Sequence, residues 1–224
     1  MNITSGLVPA AASAAALETF SFHETPVLII ENFWSVEERG QFRGAMDRVH
    51  WKPLEDSASL RHDFPNSGNW AKAEIAPPQG QMLLNRLQLP CIHRYIESFP
   101  DIVRRHLGFS YYSYGAGDCL LTHDDTDQGR PAGGKPAPLR RLALVTYFHE
   151  EWECDWGGEL MIYSPKGTRR DGKPELVLTH CIMPKPGSLV MFTVPRFHRV
   201  CRVDQTAGSN RRLSIAGWFM TEHR

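Results

Sequence analysis

The chain has 224 residues, 42% of them hydrophobic and 22% charged, which fits a globular domain able to bury its own core. Its 25 Lys and Arg balance 25 Asp and Glu, so no bulk charge draws it to nucleic acid or to an anionic membrane. Five scattered cysteines without a CxxC pair argue against a disulfide framework or structural zinc, and no apolar run is long enough to span a bilayer. We expect one cytoplasmic domain with neither nucleic-acid nor membrane partners; the oligomeric state is not legible.

The Ala-rich stretch Val8 to Leu17 has no Lys or Arg before it. It reads as a loosely ordered or helical arm, within residues 1–20, rather than a signal peptide. Val27-Leu28-Ile29-Ile30 with Phe33 predicts a buried strand. Ser35 then opens a helix with Glu38 completing a capping box, and Phe42, Ala45, Met46 and Val49 recur on one face. Asp56 to Asn69 is polar and turn-rich and predicts a surface loop, flanked by Trp51 and Trp70, that covers the mouth of a site. Met82 to Phe99 reads as helical with Pro90 breaking it or starting a second helix, and Ile102 to Leu107 as a short helical continuation.

From Phe109 the texture changes to short apolar runs between Gly, Pro and Asp turns. Candidate strands are Phe109–Tyr114, Cys119–His123, Leu142–Phe148, Glu159–Tyr163, Leu176–Met183, Leu189–Phe192, His198–Val203 and Arg212–Phe219. The expected fold is α+β but mainly β: a double-stranded β-helix, or jelly roll, over 109–224, supported by the strand and helices of 21–108. The Gly/Pro-rich stretch Thr126 to Arg141 is long enough to be a lid or binding loop.

His123-x-Asp125 offers an imidazole and a carboxylate to one ion, because residues i and i+2 of an extended segment point the same way. His198 opens a later strand, and a jelly roll sets its second and seventh strands side by side. Two histidines and one carboxylate occupy one face of an octahedron and leave positions open, which suits Fe(II) oxygen chemistry better than zinc. His149-Glu150-Glu151 is the internal competitor. A calcium loop starting at Asp125 fails, since Pro136 stands where the twelfth-position Glu belongs.

Arg212 and Ser214 share one face of their strand with Ala216 and Trp218, while Leu213 and Ile215 face the other way. A permanently charged guanidinium there can grip a carboxylate bidentately, as the distal carboxylate of an iron-chelating 2-oxoglutarate requires, with Ser214 adding a hydrogen bond. Arg211 points away and reads as a surface residue.

Tyr114, His123-x-Asp125, Tyr147-Phe148-His149, Gly157-Gly158-Glu159-Leu160, Pro186-Gly187-Ser188-Leu189-Val190-Met191-Phe192, His198, and Arg212 with Trp218 follow one another in this order. In that order they resemble prolyl 4-hydroxylase-like 2-oxoglutarate/Fe(II) dioxygenases from about residue 105 to the end. The resemblance implies His123, Asp125 and His198 as iron ligands and catalytic centre. It implies Arg212 and Tyr147 at the distal carboxylate of 2-oxoglutarate, and Tyr114 near the proximal end. Fe(II), 2-oxoglutarate and O2 would be the cofactors, and hydroxylation with release of succinate and CO2 the reaction. The family often has Asn where His149 stands, which leaves a supporting role for that histidine.

The substrate is less legible. Arg130, Lys135, Arg140 and Arg141 make the Gly/Pro loop basic, favouring an anionic substrate group; Trp152 and Trp156 stand ready to wall the site. Arg130, Trp152 and Trp218 are the substrate-contact candidates. We expect a small molecule, amino acid or peptide, with a protein-directed prolyl hydroxylase as the alternative. A cupin-type metalloenzyme that does not use 2-oxoglutarate, or a catalytically silent jelly-roll binding protein, stays open as another class.

Overall fold

A computed structural model describes residues 27–99, 101–126 and 139–221. The Ala-rich arm and most of the Gly/Pro loop, with Arg130 and Lys135, lie outside them. The first half runs β1 (Val27–Ile30), α1 (Val36–Met46), β2 (Lys52–Pro53), α2 (Ala58–Asp63), β3 (Ala71–Ala73), α3 (Pro77–Arg86) and α4 (Pro90–Glu97). The second half runs β4 (Ile102–Tyr114), β5 (Leu120–His123), β6 (Leu139–Tyr147), β7 (Leu160–Thr168), β8 (Pro174–Ile182), β9 (Leu189–Thr193), β10 (His198–Val200) and β11 (Arg212–Thr221).

These strands make two sheets, one ordered β1-β9-β6-β11-β4-β3-β2 and the other β5-β10-β7-β8. Of the eight strands from β4 onward, β4, β6, β9 and β11 lie in the first sheet and β5, β7, β8 and β10 in the second, the division of a double-stranded β-helix, so the jelly roll expected from the sequence is the fold. Strand alternation divides the major sheet cleanly. Leu142, Leu144, Leu189, Met191, Ile215 and Phe219 face outward into one core with the helices. Ala143, Val145, Tyr147, Val190 and Phe192 face inward into a second core with Leu160 and Ile162 of the minor sheet. Because both faces are buried, the strands read as near-continuous apolar runs.

The helices brace the outer face. Ser35 caps α1 through a complete capping box with Glu38, and Phe42, Ala45 and Met46 are its buried residues. The Phe42 ring lies 4.3 Å from Phe148 and 4.9 Å from Trp34. A buried polar relay fixes this contact: Trp34 Nε1 donates to Thr146 Oγ1 (2.9 Å), which donates to the Ser188 carbonyl (2.7 Å). Helices α3 and α4 each begin at a proline, where the missing N–H costs nothing.

Two local expectations change. Ile102 to Leu107 is not helical but the first half of β4, because it pairs with Leu107↔Phe219 and Ile102↔Thr221 at the far end of β11. The polar loop contains a turn and a half of helix, α2. Of the tryptophans that flank this loop, Trp51 lies on the outer face 6.4 Å from Tyr111, its Nε1 donating to the Met46 carbonyl. Trp70 is buried on the inner side, stacked 5.7 Å from Tyr114.

Candidate active site

His198 of β10 pairs directly with His123 at the end of β5. Their rings lie 4.2 Å apart. Asp125 follows two residues beyond, outside the strand and in the left-handed region at φ 64°. The shared aim of His123 and Asp125 therefore comes from a turn rather than from strand alternation. Asp124 closes that turn, its Oδ1 accepting from the Thr126 N–H (3.1 Å) and hydroxyl (2.6 Å). Asp tolerates the conformation better than most residues but not freely, so the surrounding contacts hold it there.

The three side chains converge. Asp125 Oδ1 lies 3.2 Å from His123 Nε2, and Oδ2 lies 3.4 Å from His198 Nε2. Each histidine is oriented the same way: His123 Nδ1 donates to the Leu121 carbonyl (2.7 Å) and His198 Nδ1 to the Arg196 carbonyl (2.8 Å). With Nδ1 carrying the proton, both Nε2 lone pairs point at the shared centre, the tautomer a metal needs. Burial, then the neighbouring His123, lowers the His198 pKa to about 4. Burial alone would raise the Asp125 pKa. The His123 hydrogen bond, the charges of both histidines and the Trp218 hydrogen bond outweigh it and hold the carboxyl well below the usual range. Imidazoles with free Nε2 lone pairs beside an ionised carboxylate make a donor set that fits Fe(II). Among the described residues this is the one His/Cys/Asp/Glu cluster with such geometry. The rival does not form: His149 is buried with Nε2 donating to the Pro184 carbonyl (2.7 Å), while Glu150 and Glu151 are exposed.

Asp125 is gripped from outside as well. Trp218 Nε1 donates to Oδ2 at 2.7 Å, and Arg140 Nη1 approaches Oδ1 at 3.4 Å while its guanidinium stacks 3.7 Å above the Trp218 ring. Trp218 thus stands against the Asp125 carboxylate. Arg140, read from the sequence only as a basic loop residue, belongs to the same constellation.

Arg212 begins β11, paired with Tyr114; two residues on, Ser214 pairs with Tyr112 on one side and Tyr147 on the other. Arg212 is 1% exposed. Its Nη2 donates to the Tyr147 hydroxyl at 3.3 Å, and its guanidinium lies 4.8 Å from the Tyr147 ring and 5.4 Å from the Tyr114 ring. No carboxylate among the described residues pairs with it, and its Nε and the Ser214 hydroxyl have no partner. A buried cation without a counter-ion costs several kcal/mol. A cradle of one guanidinium, one free hydroxyl and the Tyr147 phenol fits the distal carboxylate of 2-oxoglutarate, with the Tyr114 ring beside the guanidinium. Burial raises the pKa of both Tyr114 and Tyr147, so each keeps its O–H to donate. Gly158, at φ +72°, leaves room for the cradle: a Cβ there would stand 3.0 Å from Arg212 Cδ and 3.3 Å from Trp152 Cζ2. Trp152 therefore sits beside the Arg212 stem, its Nε1 tied to the Gly157 carbonyl at 2.8 Å. Arg211 turns away, bonding Ser113 Oγ and lying 3.7 Å from Asp118.

Residues 109–220 match the model of the 2OG-Fe(II) oxygenase superfamily. The chain belongs to that superfamily. Its members use Fe(II), 2-oxoglutarate and O2, the cofactors that the His123/Asp125/His198 cluster and the Arg212 cradle fit. A Xenopus laevis relative, prolyl 3-hydroxylase OGFOD1, is 33% identical over 119 residues, covering 52% of this chain and 20% of the relative. This chain thus spans about a fifth of that relative's length. A Pseudomonas putida prolyl-4-hydroxylase structure superimposes with a TM-score of 0.57 at 20% identity, covering 94% of this chain and 98% of that one. A Trichoplax adhaerens prolyl hydroxylase, in complex with a hypoxia inducible factor oxygen degradation domain peptide fragment, gives 0.58 at 16% identity, covering 89% and 86%.

Proposed function

We propose that this oxygenase hydroxylates a prolyl residue of a peptide or protein, with His123, Asp125 and His198 holding iron and Arg212, Ser214, Tyr147 and Tyr114 holding 2-oxoglutarate. The observation that carries the cosubstrate half is the fully buried, unpaired Arg212 beside an unpartnered Ser214 hydroxyl. The prolyl half rests on the Xenopus relative, a prolyl 3-hydroxylase 33% identical over 119 residues.

Bound iron and 2-oxoglutarate supply the oxidising chemistry, and the chain supplies position, charge and dryness. Asp125 stays ionised, and the two histidines present Nε2 because backbone carbonyls occupy Nδ1. Arg212 neutralises the distal carboxylate, and the phenols of Tyr147 and Tyr114 donate to cosubstrate oxygens without ionising. Phe192, 4.8 Å from the His198 ring, and Phe64, 5.3 Å from the His123 ring, pack against the imidazoles and limit water around them.

The test is an anaerobic mixture of protein, Fe(II) and 2-oxoglutarate, given O2 with and without a panel of prolyl peptides. The expected result is peptide-stimulated succinate matched by a 16 Da gain on proline. Succinate without any peptide product would retain the oxygenase and remove the prolyl substrate.

A further inference from the structure

One rung of the major sheet runs Lys52↔Lys72↔Tyr112↔Ser214↔Tyr147 through four strand pairings. Ser214 and Tyr147 lie in the cosubstrate cradle and face the inside of the barrel. Alternation across a shared rung puts Tyr112, Lys72 and Lys52 on that same face, stepping outward from the cradle to the sheet edge. The two lysines thus continue the floor of the active site rather than the outer, helix-covered face.

Their chemistry is unresolved within the chain. Two like charges directly opposite each other on neighbouring strands destabilise a sheet. Among the described residues neither lysine makes an ion pair, and Glu74, two residues beyond Lys72, makes none with them. Lys72 instead stands over the Tyr112 ring at 5.8 Å. Burial and the charges of Arg140 and Lys52 lower its pKa. The third cation, Arg140, connects this edge to the metal, since it also bonds Asp125 and stacks on Trp218.

We propose that Lys52 and Lys72 form an anion subsite on the approach to the metal, and that the substrate carries a carboxylate or phosphate beside the carbon that is oxidised. This rests on the prolyl-peptide reading only for what presents the anion: an Asp, Glu or phosphorylated side chain flanking the target proline. Arg140 adds field from behind and remains engaged with Asp125.

Two measurements on the full chain test the subsite and its occupant separately. The first is NMR of the protein with 13C-dimethylated lysines, titrated with inorganic phosphate and with acetate. Dimethylation keeps the charge, so the sites stay cationic. Saturable shifts at Lys52 and Lys72, larger than at the other lysines, are expected with at least one anion. Shifts no larger than elsewhere would overturn the subsite, whatever the substrate proves to be. The second compares rhodamine-labelled prolyl peptides differing at one flanking residue, Glu, phosphoserine, Gln or Lys, binding the anaerobic Fe(II)/2-oxoglutarate-loaded protein. We expect the Glu or the phosphoserine peptide to bind about tenfold tighter than the Lys peptide. The Lys52→Glu/Lys72→Glu variant should reverse that order. Equal binding of all four peptides, or an order the variant does not change, would overturn the anionic substrate. Loss of peptide-independent turnover in the wild type would instead count against the oxygenase reading itself.

Discussion

The indole N–H of Trp218 reaches the oxygen of Asp125 that faces His198, so one aromatic side chain sets how the carboxylate presents itself to a metal. Groups that orient a ligand typically shift metal affinity by about 10–100-fold. Trp218→Phe keeps the ring under Arg140 but loses the donor. Mn(II) titration followed by EPR, without 2-oxoglutarate, should show a weakening in that range. Unchanged affinity would mean the hydrogen bond is incidental. Arg212 makes the opposite kind of case, because its present surroundings disfavour it. Arg212→Met removes a buried charge of nearly the same length, so the variant without cosubstrate should melt no lower than the wild type. It should also lose the rise in Tm that 2-oxoglutarate gives the Mn(II)-loaded protein. A retained rise would move the anchor elsewhere.

β11 links the two halves of the proposed site. Arg212 and Trp218 lie six residues apart on its inner face, about 20 Å of extended chain, so the register of this strand sets the distance between the proposed cosubstrate anchor and the Asp125 carboxylate that Trp218 holds. Gly217 locks that register from the outer face. A Cβ there would stand 1.9 Å from the Gly108 carbonyl oxygen and 2.7 Å from Phe109 Cα, atoms of the paired backbone that cannot rotate away. Gly217→Ala should therefore cost about 3 kcal/mol, read as a lower urea midpoint. An unaltered midpoint would show that β4 and β11 separate easily. Most of this strand was legible, because Leu213 and Ile215 alternate with Arg212 and Ser214 and the apolar half needs a core. All eight strands from Phe109 onward were likewise marked by apolar runs between turns. Ile102 to Leu107 was not, because its charged Arg104-Arg105 run hides a strand made only by pairing with residues more than a hundred positions later. The convergence of His123, Asp125 and His198 showed in the spacing and strand order, and the inward face of Arg212 in the strand alternation. Arg140 did not, since stacking on Trp218 joins the ends of two strands and leaves no local pattern.

At the scale of the whole molecule, two histidines sit deep in the barrel and its outer wall, and both are kept neutral by the fold. His149 packs 4.8 Å from Trp152 with Nδ1 unpartnered, and burial lowers its pKa to about 3. His198 is lowered to about 4. An unfolded chain protonates histidine near 6.5, so between that value and the folded pKa the unfolded state binds more protons. The stability from keeping these rings neutral is fully present above pH 6.5 and is lost as pH falls toward 3 or 4. Each ring contributes about 1.4 kcal/mol per pH unit within that window. Asp125 works in a lower range: its folded pKa is depressed, so its share persists until pH drops below the ordinary carboxylate value. The metal-free protein should therefore lose Tm steadily from pH 7 to pH 5. Iron would pin His198 in its neutral form but leave His149 exposed to acid, since no ligand shares its Nδ1. His149→Gln keeps a donor for the Pro184 carbonyl and removes the titration. Thermal melts of both proteins across that range should give a visibly flatter slope for the variant, even if its Tm at pH 8 is lower. Parallel slopes would place the acid sensitivity in other groups and leave His149 a packing residue alone.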